Sequence, residues 1–240
     1  MVAEASSRRR WEGIAEHIEL MVLSGEVPDG GRLPSERELM ERFGVGRSSV
    51  REALFALQKR GIITVTPGAV ARAAHPSPHI LVDELSSIAR HMLARPEGMR
   101  HFQHARALLE VGLAREAAQR IASEDLVELT AALAANEAAI GDQERFQRTD
   151  LEFHLVIAKS SRNPIFVALH NAMSEWLSEQ RRVSSRAGAQ PDQVFLEHKR
   201  IHDAIAARDP TGAATAMEDH LTSVARNFWR ATAPPYATEA

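Results

Sequence analysis

The sequence predicts a mainly α protein in two parts: three short helices with a β-hairpin at the front, and an all-helical bundle behind. Three observations predict this. Residues 33–61, LPSERELMERFGVGRSSVREALFALQKRG, hold two amphipathic helices around a double-glycine turn. Residues 62–73 hold two short β-type runs around Pro67-Gly68. Beyond Pro78 every periodic segment has helical spacing, and no strand pattern appears.

Residues 1–7 and 233–240 are expected to be disordered. From Arg8 to about Ser24, Trp11, Ile14, Ile18, Met21 and Leu23 fall on or near one helical face. Val27-Pro28-Asp29-Gly30-Gly31 is a turn cluster. The next helix begins at Ser35, whose hydroxyl can accept from the free N–H three places on, with Glu38 at the reciprocal capping-box position. Pro34 holds Leu33 extended. Leu39, Met40 and Phe43 form the inner face. Gly44 and Gly46 end this helix and permit positive φ. The second helix turns Val50, Ala53, Leu54 and Leu57 inward and stops at Gly61. Its first turn carries Arg47, Ser48, Ser49 and Arg51. With the hairpin, this makes a winged helix-turn-helix spanning 8–74.

That polar first turn sits where a recognition helix meets base edges and phosphates. Arginine offers a bidentate fork to guanine, and small hydroxyls reach phosphate or base without blocking entry. A solvated helix face would also carry such charges. The capping box, glycine turn, basic tip and apolar inner face together favour the DNA reading.

Residues 75–78, with Pro76 and Pro78, form the linker. Residues 79–232 follow as an all-helical domain with seven expected helices: 79–93, 97–121, 123–140, 142–160, 164–185, 191–208 and 210–232. Breaks fall at Arg95-Pro96-Glu97-Gly98, Gly141, Asn163-Pro164, Gly188 to Pro191 and Asp209-Pro210. Ser123 with Glu124 and Asp125 opens one helix, and Asp209-Pro210 caps another.

The 240 residues suffice for two domains with real cores. Cysteine is absent, which excludes a disulfide framework and thiolate chemistry and fits a cytoplasmic setting. No apolar run approaches membrane-spanning length, and the N-terminus lacks a signal-peptide pattern. The net charge of −3 argues against a general nucleic-acid binder. Within residues 32–60, however, 7 basic residues face 4 acidic ones, the local excess a sequence-specific binder needs.

A second constellation lies in the bundle. Asp150 and His154 are four apart, on one helical face, among apolar neighbours. His198 and His220 sit in later helices. Three imidazoles and a carboxylate converging inside a bundle make a site for a borderline divalent ion, Zn²⁺ foremost, with Ni²⁺ or Mn²⁺ as alternatives. With 11 histidines in the chain, an i,i+4 Asp/His pair also arises by chance. Spacing does not exclude His202, and His101, His104 and His170 are weaker rivals. A His/Asp metal cluster could also activate water, with Glu152 or Glu197 as base. That would make a metal-dependent enzyme fused to a DNA-binding head. No HExxH, nucleophile elbow or phosphate loop supports it, and catalytic residues are not expected.

The 33–61 stretch resembles the helix-turn-helix of the GntR family of bacterial transcription regulators. The ordered motifs DLEFH, Asn163-Pro164, EHKRIHDAI and MEDHL resemble the FCD effector domain of its FadR subfamily. SRRR, PSERELM, SVREAL and Asn-Pro-Ile-Phe are similar to the sialic-acid-responsive NanR-type regulators within it. The resemblance implies a homodimeric repressor of operator DNA, controlled by a sialic acid, another sugar acid or a small organic acid. It selects Asp150, His154, His198 and His220 as metal ligands and leaves out His202. It implies DNA contacts from Arg37, Arg47, Ser48, Ser49 and Arg51, with Gly68 at the wing tip. It points to Arg106 and Asn163 for the effector. Arg106 has a rival role, an intrahelical pair with Glu110. Gly46 stands where many relatives have a hydroxyl.

Overall fold

The computed structural model describes residues 2–66, 68–75, 77–178 and 190–232. The chain divides into two compact units, Met1–Leu81 and Val82–Ala240. The boundary falls in the first turn of a helix, just past the expected linker.

The first unit holds α1 (Val2–Leu23), α2 (Glu36–Phe43), α3 (Arg47–Lys59), β1 (Ile63–Thr64) and β2 (Arg72–Ala73). Helix α1 starts ahead of Arg8, so Val2 to Ser7, expected to lack structure, are its first turns. The strands pair antiparallel with Ile63 opposite Ala73 and Thr64 opposite Arg72. Gly68 takes the left-handed conformation at the hairpin tip, φ 78°, while Pro67 lies outside the described residues. Ile18, Leu39, Val50, Leu57 and Ile63 are fully buried in one core, which also takes in Met21, Val27, Leu33 and Leu54.

The capping box forms as the sequence dictates. The Ser35 N–H donates to Glu38 Oε2 at 2.7 Å, and the Glu38 N–H donates to Ser35 Oγ at 3.3 Å. The two turn glycines differ in role. Gly44 ends α2 in the left-handed conformation (φ 62°), whereas Gly46 is extended (φ −76°) and sits at the start of α3 with no side chain to cap it. Only the first needs glycine for its backbone.

The second unit holds α4 (Pro78–Leu93), α5 (Pro96–Arg120), α6 (Ser123–Glu137), α7 (Gln143–Ser160), α8 (Pro164–Trp176), α9 (Pro191–Ala206) and α10 (Pro210–Thr232). Observed ends lie within three residues of the expected ones where both are described. The stretch 179–189, which holds the rest of the expected 164–185 helix and Gly188, lies outside the described residues, as do Pro76 and 233–240. Prolines open α5, α8 and α9 at positions whose N–H would have no helical partner. Helix α6 opens at Ser123 as expected, with Ala122 at its cap position and no side chain capping it. Asp142 caps α7 through the Arg145 N–H at 3.0 Å, and Asp209 caps α10 through the Gly212 N–H at 2.9 Å.

Helix α5 is the hub of this unit, packing on α7, α8, α9 and α10. Leu113, Ile121, Leu129, Phe153, Ile157, Ile201, Ile205 and Met217 form the main core. Gly98 lets α5 pass close to the end of α4; a Cβ there would lie 2.0 Å from the Met92 carbonyl oxygen.

The two turn glycines make a test. Gly44→Ala should destabilise the first unit by about 1–2 kcal/mol, the cost of a left-handed non-glycine residue. Gly46→Ser should instead add a few tenths of a kcal/mol by supplying an N-cap hydroxyl. Hydrogen exchange of the α2 and α3 amides reads both changes.

Candidate metal centre and nucleic-acid interface

Asp150 and His154 project from α7, His198 from α9 and His220 from α10. One ligand atom from each lies within 4.8 Å of the others. The imidazoles are buried, His198 at 0 %, His220 at 1 % and His154 at 3 % exposure. Asp150 is half-buried, with its Oδ1 3.3 Å from His198 Nε2. The ring centroids of His154, His198 and His220 lie 4.7–5.2 Å apart, and Phe153 stacks on His198 at 4.7 Å.

Each imidazole is held from behind by a different partner. His198 Nδ1 donates to Asn136 Oδ1 at 2.9 Å. The Asn136 amide is itself oriented by Thr149 Oγ1, at 3.0 Å from its Nδ2. His220 Nδ1 donates to Glu197 Oε2 at 3.0 Å. His154 Nδ1 lies 2.6 Å from Glu110 Oε2, within ion-pair distance. Partners of this kind fix tautomer and ring direction in metal sites. They leave Nε2 as the nitrogen that can ligate. His154 Nε2 and His198 Nε2 are buried with no hydrogen-bond partner among the described residues. Buried imidazole nitrogens seldom stay unsatisfied without cause. The donor set, three nitrogens and one carboxylate oxygen, fits a borderline divalent ion. The chain thus has a group of side chains that could hold a metal ion.

Electrostatics match the donor role. Burial pushes the His154 imidazole from 6.5 down to about 4, against the pull of Glu110. Burial also lowers His198, opposed by Asp150. Both rings are therefore neutral at pH 7, as a ligand must be. Burial would raise Glu110, but the Arg106 guanidinium and His154 outweigh it and hold the carboxyl well below the usual range.

The other histidines go elsewhere. His202 pairs with Thr130 Oγ1 at 2.9 Å and Asp203 at 3.1 Å, outside the cluster. His101 and His104 are exposed. His170, expected to lack a carboxylate partner, is buried with its Nδ1 3.7 Å from Glu110 Oε1. Asn136 and Glu110 had no recognised part in the site from sequence, and Glu197 only a rejected one as a base.

Of the two effector candidates, Arg106 is buried and donates from Nε to Glu110 Oε1 at 2.6 Å, so its rival role is realised. It also lines a cleft of about 180 Å³ between α5 and α10, with Gln103, Leu221 and Thr222. The Asn163 side chain caps α8, its Oδ1 accepting from the Ile165 N–H at 3.0 Å.

In the first unit, Arg47, Ser48 and Arg51 are exposed at the tip of α3, and Arg37 is exposed on α2. Glu36 holds both exposed arginines of α3, with Arg51 Nε at 3.0 Å and Arg47 Nε at 3.4 Å. Ser49 departs from expectation. It is 8 % exposed, on the inner side of α3 with Val50 and Ala53, and leaves little hydroxyl for a groove.

Buried His154 contributes to the pH response of the metal-free protein, alongside His198, which burial lowers in the same direction. Between about pH 6.5 and 4 the unfolded chain takes up a proton that folded His154 refuses. Stability is therefore full above 6.5 and falls as pH drops through this window. Below 4.5 the loss deepens, because Glu110 is ionised more readily folded than unfolded. Urea midpoints of chelated protein from pH 7.5 to 4.5 should fall steadily, and the slope from His154 should vanish in His154→Phe.

Two family models match the chain: "Bacterial regulatory proteins, gntR family" over residues 11–71 and "FCD domain" over residues 101–223. The HTH-type transcriptional repressor NanR of Klebsiella aerogenes is 42% identical, over 92% of this chain and 85% of that protein. The repressor of the same name from Cronobacter sakazakii is 41% identical, over 89% and 83%. A solved Streptococcus agalactiae GntR structure shares 28% identity at a TM-score of 0.57, covering 90% of this chain and 99% of that one. E. coli McbR/YncC, at 17% identity and a TM-score of 0.53 over 92% and 97%, shares the fold. No helix among the described residues is long and apolar enough to cross a membrane. The tip of α3 and the buried imidazole cluster thus fall within the two matched regions, and the chain belongs to the GntR family: it is a DNA-binding transcriptional regulator with an FCD domain, not an enzyme.

Proposed function

We propose that this chain is a cytoplasmic, homodimeric repressor whose hold on its operator is set by a small acidic effector at the metal centre of its bundle. The convergence of three buried imidazoles and Asp150 within 4.8 Å carries this reading. The names of its relatives, transcriptional repressors, support the direction of control.

Asp150, His154, His198 and His220 would hold the ion, with Zn²⁺ first and Ni²⁺ or Mn²⁺ as alternatives. Bound there, it would act as a Lewis acid toward a carboxylate. Asn136, Glu110 and Glu197 fix the three rings from behind, so the ligand set is prearranged. Arg106 borders the cleft between α5 and α10, where its guanidinium would favour an anion; Glu110 balances that charge when none is bound. Such a ligand would touch both α5 and α10. It would shift the dimer between DNA-competent and incompetent populations to the extent that it prefers one of them. Sialic acid leads the candidates because motifs of this sequence resemble those of sialic-acid-responsive regulators; other sugar acids and small organic acids share the needed chemistry.

The proposal has a direct test. Protein purified without chelator should carry about one metal equivalent per chain, and His154→Ala with His220→Ala should remove it, as loss of half of a four-ligand set demands. Sialic acid and other sugar acids should then raise the melting temperature of loaded protein only. Their affinity should differ with and without operator by the same factor as operator affinity differs with and without acid. Metal-free wild type, or equal acid affinity in both states, overturns the reading.

Arg37, Arg47, Ser48, Arg51 and Gly68 are the proposed DNA contacts. Arg47→Ala and Arg51→Ala should each cost about 1–3 kcal/mol of operator discrimination, measured by gel shift on specific and scrambled duplexes.

A further inference from the structure

We propose that Phe55 is a base-reading residue that packs its ring against the 5-methyl group of an operator thymine. Phe55 is 70 % exposed, the one large apolar side chain that α3 turns to solvent. Lone exposed apolar residues are common on protein surfaces and by themselves require no partner. The position of this one is what matters. Val50, Ala53, Leu54 and Leu57 define the inner face of α3, and all are buried. Seven residues separate Ser48 from Phe55, so the two lie within about 20° of one another around the helix, on the opposite face. Arg51, four residues before Phe55, flanks the same strip and is also exposed.

The strip thus runs from the polar tip into an apolar end, on the helix that reads DNA in this family. Ser48 and Phe55 are about 10 Å apart along the axis, which is about three base-pair steps. In the major groove the T·A pair alone presents a methyl group, and phenylalanine is among the side chains that read it by contact. Glu36 draws Arg47 and Arg51 to one flank. This leaves Phe55 and Ser48 in the middle of the strip, with room for a base edge to approach the ring. An apolar contact with thymine would add sequence information of a kind that arginine forks on guanine do not carry.

The test uses the full chain. Duplexes enriched by wild-type protein from a random pool define a half-site. Each consensus thymine is then replaced by deoxyuridine, which removes only the methyl. At one thymine per half-site the replacement should weaken wild-type binding about fourfold, the worth of one methyl group taken out of water. Phe55→Ala should bind the thymine duplex correspondingly more weakly and be indifferent to deoxyuridine at that position alone. Phe55→Leu should recover part of the difference. Phe55 is exposed, so circular dichroism should be unchanged in both variants. The proposal falls if wild type ignores every deoxyuridine, or if Phe55→Ala keeps the wild-type deoxyuridine profile. It also falls if Phe55→Ala changes only the cooperativity between bound copies, which would make the ring a protein–protein contact. Intact operator affinity in Arg51→Ala would be a separate failure, that of the reading of α3 itself.

Discussion

The bundle depends on how three imidazoles are buried together. An imidazole taken out of water keeps two nitrogens that need partners, and three side by side multiply the problem. Here each ring anchors one nitrogen on a different helix or residue type: a side-chain amide on α6, a carboxylate on α5, a carboxylate on α9. That leaves the opposite nitrogens facing one another in a core otherwise built of Phe153, Ile157, Ile201 and Met217. Such an arrangement gains little from packing alone. It is coherent when a cation completes the centre, because the desolvation that strips protons from the rings is what readies them as ligands.

Helix α5 occupies the middle of this scheme through Glu110. Its carboxylate lies between Arg106, His154 and His170, three groups that favour its negative form. A lone buried carboxylate would neutralise itself by taking a proton. The arginine prevents this, so the charge needed behind His154 persists in the interior. The pair is less a source of stability than a way to keep an ionised group behind His154, where the proposed ligand set would need one.

Much of this was legible in the sequence, and the reasons differ from element to element. Ser35, Glu38 and Gly44 are local signals, set by backbone groups a few residues away, and their geometry follows the expectation. The same holds for prolines 96, 164 and 191. The i,i+4 spacing of Asp150 and His154 places them together on any helix. His198 and His202 share that spacing too, and only the tertiary fold turns the first inward and leaves the second on Thr130. Asn136 carries no periodic signature; its partner lies 62 residues away. Residue type alone puts the Ser49 hydroxyl at a helix tip, whereas helical phase turns it toward Val50 and Ala53. Gly46 looked like a turn glycine beside Gly44, but an extended φ is open to any residue. Arg162 and Arg208 adopt left-handed backbones at the ends of α7 and α9, φ 55° and 52°. Their guanidinium groups reach Asp125 and the Ile121 carbonyl, at 2.8 and 2.9 Å, contacts no sequence pattern announces.

Glu36 has a consequence for how this protein meets a long polyanion. By standing beside Arg47 and Arg51 it acts as a built-in counterion, already present before any duplex arrives. Random sequence offers only phosphates, and phosphates must compete with that carboxylate for the same two forks. A base edge that accepts both forks in the right geometry competes better. With Arg47 and Arg51 as the proposed contacts, the residue would penalise loose electrostatic attachment more than fitted recognition, and would let a chain of net negative charge search a genome without being held at every stop.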